Sequence, residues 1–460
     1  MGGKRKRRSQ PRYARQYENL SDSRYFFHSG TRTPLMKKNR YRKKKNLKKH
    51  AGTLFFSLCA ALFVLLGTWA WGAFTEDPLA NTPLILEETS IRFQNFYPKL
   101  DQVENGKYVT HFENGIRASY TLDTRIQQRV ENYFEHYKVP YGAFVAISPK
   151  TGKILALADY SAREPHKKNI ALQASYPAAS LFKVITAAAA VEEKRVSADI
   201  DISYRGEFNR LKPAYWKDNP EKDKLKMSLA EAFGKSNNVV FAKVANRWLD
   251  IPTLIDYGER FQFNHRIPFE SPIEISRMDI TEDTGGLEKT AAGFGKVGIS
   301  PLHAALMTSA IANEGVMMSP CMVDMVTSLA GEALYACTPK VLKQAIAPDT
   351  AAELKKMMGE TVQSGTVKNI FRQRYREKSI RKISIGGKTG SLRGKTPKGR
   401  YTWFVAMAPL ENPEIVVAAM VVNDPVWHIT APQVAKEGLS AYFDSGESTS
   451  ASVSGREFTR

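Results

Sequence analysis

Residues 51–74 form a run of 24 residues without one charged side chain. As a helix rising about 1.5 Å per residue, the run spans roughly 36 Å, enough to cross a hydrocarbon core of about 30 Å. It is apolar on every face, which an amphipathic core helix is not. Trp69, Trp71 and Phe74 stand at its far end, where aromatic rings favour the interface. Lys43, Lys44, Lys45, Lys48 and Lys49 precede it, and Glu76 and Asp77 follow it. The positive-inside rule then predicts residues 1–50 in the cytoplasm and the body outside. Ala70-Trp71-Gly72 has the form of a signal-peptidase site. The apolar run is nevertheless longer than an ordinary signal-peptide core, and a basic region of about 50 residues precedes it. An uncleaved single-pass anchor is the expectation, with the tail lying against anionic membrane lipid.

The net charge of +21 sits mostly in that tail: residues 1–50 hold 18 Lys+Arg against Glu18 and Asp22 alone. The rest of the chain holds 49 basic and 44 acidic residues. A near-neutral body does not suggest a nucleic-acid-binding domain. Three cysteines exclude a disulfide-stapled mini-scaffold. No metal or cofactor is expected, because the eight histidines are scattered and neither His-x-x-x-His nor a Cys/His cluster occurs.

Pro78, Pro83 and Pro98 mark residues 75–120 as a juxtamembrane linker or small pedestal. A helix is predicted from about Asp123, with Ile126, Val130, Phe134 and Tyr137 at helical spacing. Apolar runs at 143–147 and 154–158 around Pro149-Lys150-Thr151-Gly152 predict a β-hairpin. Residues 178–193, 228–248 and 301–314 read as helical, and 322–336 as a second hairpin around Ala330-Gly331. Runs at 383–386, 401–409 and 414–422 predict consecutive antiparallel strands that the first hairpin joins. The fold class is therefore α+β, with a body over 121–442 and a Ser-rich disordered tail over 443–460. Cys321 and Cys337 flank the second hairpin and would meet an oxidising compartment; their spacing leaves a disulfide open.

Ser180-Leu181-Phe182-Lys183 opens the alanine-rich helix. Positions i and i+3 share a helix face, so hydroxyl and amine can meet. A serine needs a base to attack, and a lysine surrounded by Leu181, Phe182, Val184 and Ile185 can be neutral. Ser379-Ile380-Arg381-Lys382 repeats the spacing in a polar stretch and reads as chance. Ser236-Asn237-Asn238 alone reads as a helix cap or turn. Lys388-Thr389-Gly390-Ser391 follows Gly386-Gly387, where a bare backbone admits a close neighbour. The decoy Lys150-Thr151-Gly152 is explained by its hairpin turn.

The order Ser-x-x-Lys, Ser-x-Asn, Lys-Thr-Gly resembles the transpeptidase domain of penicillin-binding proteins, within the DD-peptidase and serine β-lactamase superfamily. Gly293-Phe294-Gly295, Ser300-Pro301-Leu302, Ala312-Asn313-Glu314-Gly315 and Tyr401-Thr402-Trp403-Phe404-Val405 extend the resemblance over about residues 121–442. It implies an antiparallel sheet flanked by helices with an all-helical subdomain. Catalysis would fall to Ser180 as nucleophile, Lys183 as neutral base, Ser236 as proton relay and Lys388 as a charge that depresses Lys183. Asn238 would bind the substrate amide, Lys388 and Thr389 its terminal carboxylate, and the amides of Ser180 and Ser391 the oxyanion. Gly390 would let the substrate backbone approach. Peptidoglycan stem peptides ending in D-Ala-D-Ala would be the substrates and β-lactams covalent inhibitors.

A class A β-lactamase would need Glu-x-x-x-Asn, and Glu259, Glu270 and Glu274 lack it. DD-carboxypeptidase and class D-like β-lactamase share the motifs and stay open, as do an idle scaffold and a β-lactam sensor. About 105 residues between the anchor and Ser180 are too few for a glycosyltransferase domain, so a separate membrane glycan polymerase is an expected partner.

Overall fold

The computed structural model describes residues 84–444, apart from 88–89, 94–95, 97, 113–114, 195 and 373–376. The predicted basic tail and anchor lie outside the described residues, as does the Ser-rich terminus from residue 445 onward; Phe443, expected in that tail, instead ends a helix. Among the described residues no helix is long and apolar enough to cross a membrane. The chain divides into two compact units. The first is described at the short strand Leu84–Glu87 and at residues 92–93 of the short strand Ser90–Phe93. The second takes in residues 88–91 and the chain from residue 95 onward, and holds the remaining elements.

It begins with β1 (Gln102–Glu104), β2 (Lys107–His111) and β3 (Arg117–Asp123). Asp123 ends β3 and caps the next helix, its carboxylate accepting from the amides of Arg125 and Ile126. That helix is α1 (Thr124–Tyr137). The first predicted hairpin is β4 (Tyr141–Ile147) and β5 (Ile154–Tyr160). A 3₁₀ turn at Ala179–Phe182 leads into α2 (Lys183–Lys194). Then come α3 (Leu229–Gly234), α4 (Asn238–Trp248), α5 (Ile251–Arg260), α6 (Gly286–Ala291) and α7 (Pro301–Ala312). The second hairpin is β6 (Val323–Thr327) and β7 (Ala333–Ala336), followed by α8 (Pro348–Gln363). Strands β8 (Gly386–Lys395), β9 (Lys398–Ala408) and β10 (Ile415–Asn423) and helix α9 (Ala431–Phe443) end the described chain.

The central sheet runs β8-β9-β10-β4-β5, antiparallel throughout. The early hairpin therefore joins the late strands, as their patterning predicts. Alternate residues face opposite sides. Phe144, Phe404, Val417 and Val421 pack with Ile126, Val130 and Phe134 of α1 and Val434 and Leu439 of α9. Against the other face lies α7, buried at all twelve positions. A helix apolar on every side belongs between two layers. Helices α2 to α6 form the helical subdomain beyond it, while α8 packs on β8 and α3.

A second sheet runs β7-β6-β3-β2-β1, so 102–123, predicted to lie in the linker or small pedestal or at its edge, pairs with the distant 323–336 hairpin. The expected boundary at residue 121 falls inside β3. Cys321 and Cys337 form a disulfide beside that hairpin, Cα–Cα 6.4 Å.

Candidate active site

Two of the helical segments read from the sequence are interrupted where their motifs lie. Ser180 stands in the 3₁₀ turn, and the regular helix begins only at Lys183. Ala179 adopts φ 49°, costly for a residue with a side chain. Gly293, at φ +90°, explains how the turn is held. A Cβ there would stand 2.4 Å from the Ala179 carbonyl oxygen and 2.9 Å from the Ser180 nitrogen. The second break falls between α3 and α4, where Ser236 takes φ 56°. Asn237 then caps α4 by accepting from the Val240 amide. Gly365 packs on this break: its Cβ would stand 2.2 Å from the Gly234 carbonyl oxygen, and the Thr366 amide donates to that oxygen.

Lys183 is fully buried. Its Nζ lies 2.9 Å from Ser180 Oγ, 2.8 Å from Asn238 Oδ1 and 2.5 Å from the Ala292 carbonyl oxygen. Two of these groups can only accept. Ala292 offers a carbonyl, and Asn238 is held oxygen-inward because its Nδ2 donates to the Asn209 carbonyl at 3.0 Å. The Asn238 amide donates to the Phe208 carbonyl and fixes the residue from the other side. A neutral amine has two donors and one lone pair. In that form Lys183 would satisfy both acceptors and turn its lone pair toward the Ser180 hydroxyl. Burial pushes Lys183 well below the ordinary lysine range, and the nearby Lys388 pushes it further.

Lys388 enters from β8 and is likewise fully buried. Its Nζ donates to Ser236 Oγ at 3.0 Å and to the Thr389 carbonyl at 2.9 Å, over the Phe233 ring at 5.3 Å. Burial lowers it to about 7. Thr389 shares a 2.7 Å hydroxyl hydrogen bond with Thr366. A Cβ on Gly390 would lie 3.2 Å from Trp403 Cβ and 3.3 Å from the Ala178 carbonyl oxygen, so the glycine admits the nucleophile turn to the strand. Trp403, opposite Gly390, donates from Nε1 to the Pro177 carbonyl at 3.0 Å. Ser391 continues β8 opposite Thr402.

The structure thus ties Ser180, Lys183 and Asn238 into one cluster, and Ser236, Lys388 and Thr389 into a second that adjoins it. Gly390 and Ser391 lie on the strand they share with Lys388. The decoys lie elsewhere: Gly152 turns the β4–β5 hairpin at φ +77°, and Ser379 sits in a short 3₁₀ turn. Sequence reasoning assigned no role to the Ala292 carbonyl, the Asn209 carbonyl or Gly365-Thr366. Backbone acceptors carry no residue signature, although Ser364-Gly365-Thr366 has turn-forming composition that could have drawn notice.

Residues 142–439 match the sequence model of the penicillin binding protein transpeptidase domain. The chain belongs to that family. Stage V sporulation protein D of Bacillus subtilis is 24% identical over 377 residues, covering 76% of this chain and 56% of that protein. Peptidoglycan D,D-transpeptidase PbpA of Mycobacterium tuberculosis is 28% identical over 348 residues, covering 67% of this chain and 68% of PbpA. The chain therefore spans little more than half the length of the sporulation protein. The D,D-transpeptidase domain of a peptidoglycan glycosyltransferase from Eggerthella lenta superposes with a TM-score of 0.58 at 26% identity, covering 71% of this chain and 82% of that one. The transpeptidase fold expected from the motifs is the fold of the body.

Proposed function

We propose that this protein is a D,D-transpeptidase that cross-links peptidoglycan through an acyl-enzyme on Ser180. The observation that carries the reading is the buried Lys183 amine, 2.9 Å from Ser180 Oγ and surrounded by neutral acceptors only. Ser180 gives its proton to Lys183 while Oγ bonds to the carbonyl carbon of the penultimate D-Ala. The amides of Ser180 and Ser391 hold the oxyanion. The carbon–nitrogen bond to the terminal D-Ala then breaks, and a proton passes through Ser236 to the departing amine. Lys388, when charged, and Thr389 hold the terminal carboxylate, and Asn238 the donor's amide. The amine of a second stem peptide attacks the ester, gives up a proton and returns Ser180 to its hydroxyl form. A β-lactam follows the first half, its ring C–N bond breaking while the amine stays tethered.

Deacylation by an ordered water draws no support from the three glutamates. Glu270 accepts from the amides of Met322 and Val323, Glu274 from the amide of Ala174, and Glu259 lies 3.9 Å from His265. The organisation we propose is a basic cytoplasmic tail over 1–50, a span over 51–74, a linker or pedestal over 75–120 and an exported body over 121–442. Membrane lipid and a separate glycan polymerase are its proposed neighbours.

The test is covalent labelling by fluorescent penicillin, wild type beside Ser180→Ala. A long-lived adduct on wild type, absent from the variant, is expected. Rapid turnover of the adduct would make the protein a β-lactamase. No label on folded wild type would remove the assignment of Ser180. Transfer of the acyl group to an added D-amino acid separates a transpeptidase from a carboxypeptidase, which hands it to water.

A further inference from the structure

Strand β8 is the outer strand of its sheet, so one edge carries backbone groups outside the ladder. In the transpeptidase reading, Lys388 and Thr389 hold the donor's terminal carboxylate and the Ser391 amide its scissile carbonyl. A donor laid antiparallel along this edge is then fixed in register. Its scissile residue stands opposite Ser391, the residue before it opposite Leu392, and the next opposite Arg393. The β8–β9 ladder runs without a register shift over 386–395, so this count is not broken by a bulge.

At that point the ribbon turns basic. Arg393 faces Arg400, and Lys395 faces Lys398. Like charges directly opposite oppose pairing. Arg400 lies over the Trp427 ring at 5.4 Å, and burial together with Arg393 holds its guanidinium below its ordinary value. Arg393, Lys395 and Lys398 are exposed. Among the described residues, the ion pairs leave these three out; the pair beside the β9–β10 end of the ribbon is Arg163–Asp424. Facing residues of an antiparallel pair share a side of the sheet, and diagonal neighbours come within reach of a long side chain. A donor carboxylate on the residue opposite Arg393 therefore shares its side of the sheet, falls within reach of the Arg393 guanidinium and offsets its repulsion from Arg400.

We propose that Arg393 is a specificity-determining residue that receives a carboxylate from the second residue before D-Ala-D-Ala in the acyl donor. The preferred donor is then a stem peptide with an acidic upstream segment. The proposal rests on the transpeptidase reading, because that reading sets the register.

The experiment uses the full chain in detergent and N-acetylated tetrapeptides ending in D-Ala-D-Ala. Glutamate or glutamine occupies the second position before D-Ala-D-Ala, and D-Ala release is followed. The glutamate-to-glutamine ratio of kcat/KM is taken within each protein, so a change in folded fraction cancels. Wild type should prefer a glutamate donor about fivefold, the size of an exposed charge pair, with less preference as salt is raised. Arg393→Gln should erase the preference, and Arg393→Glu should reverse it. A wild type indifferent to donor charge, or a preference that survives in Arg393→Gln, would overturn the proposal while leaving Ser180 acylation by penicillin intact. Absence of that acylation would instead remove the reading beneath it.

Discussion

Lys243 and Lys183 are 1% and 0% exposed, yet they meet opposite surroundings. Lys243 donates to Asp223 at 2.7 Å, to Asp218 at 2.9 Å and to the Lys217 carbonyl at 3.3 Å. Burial pushes Asp223 up, but hydrogen bonds from Lys243, the Asn219 amide and Arg205 outweigh it and hold the carboxyl below its usual range. Lys183 has a hydroxyl, an amide oxygen and a carbonyl, and no carboxylate. Equal burial therefore leads to two chemistries. Carboxylates make a buried ammonium a structural cross-link; neutral acceptors make a buried amine a base.

Replacing each lysine by methionine separates the two. Lys183→Met should slow acylation by penicillin about 10²–10⁴-fold, the usual worth of a positioned base. Lys243→Met takes one of three donors from Asp223, leaving Arg205 and the Asn219 amide, and should cost about 1–3 kcal/mol of stability, while the protein that stays folded still acylates. Acylation rates and thermal melts read both. A Lys243→Met protein that melts normally yet fails to acylate would break the comparison.

Burial without a carboxylate also carries a stability signature. Lys388 falls to about 7 on folding, and Lys183 is lowered as well. Above about pH 7 and below the ordinary lysine value, the unfolded chain holds protons that folded Lys388 has released. Stability then rises with pH, by up to about 1.4 kcal/mol per pH unit for each such lysine. Denaturant titrations between pH 7 and 10 measure the slope, and Lys388→Met should remove its share and leave that of Lys183.

A smaller effect tests the support of the nucleophile. Gly293→Ala would combine φ +90° with a Cβ 2.4 Å from the Ala179 carbonyl oxygen. It should cost about 1–3 kcal/mol. Displacing the Ser180 turn should slow acylation by about 10²-fold.

The motifs were legible because each is short and keeps its chemistry in the residue types. So were the β4–β5 hairpin and strands β9 and β10, whose apolar runs are bounded by Gly, Pro and Asn. The breaks in the two helical segments were not legible. Residues 178–193 are apolar enough to pass as one helix, and the close approach of the distant Gly293 accommodates Ala179 at φ 49°. Ser236 at φ 56° likewise depends on the distant Gly365 and Thr366. The apolar run at 383–386 pointed to a strand several residues early. Ile383 donates back to the Ile380 carbonyl, and the strand begins at Gly386, where a Cβ would meet Leu410 at 2.4 Å. Pairing of 117–123 with 323–327 joins residues about 200 positions apart, and local patterning carries no such signal.

The central claim is that Lys183 acts as a neutral base beside a charged Lys388. The most direct measurement is the pH dependence of kcat/KM for acylation of Ser180 by penicillin, which reports the groups of the unliganded protein. Activity should fall on the acid side as Lys183 takes up a proton, at a pH well below the ordinary lysine range. It should fall again on the alkaline side near pH 7, as Lys388 loses the charge that receives the carboxylate. A rate that climbs steadily toward pH 10, as an ordinary lysine would give, would contradict the account.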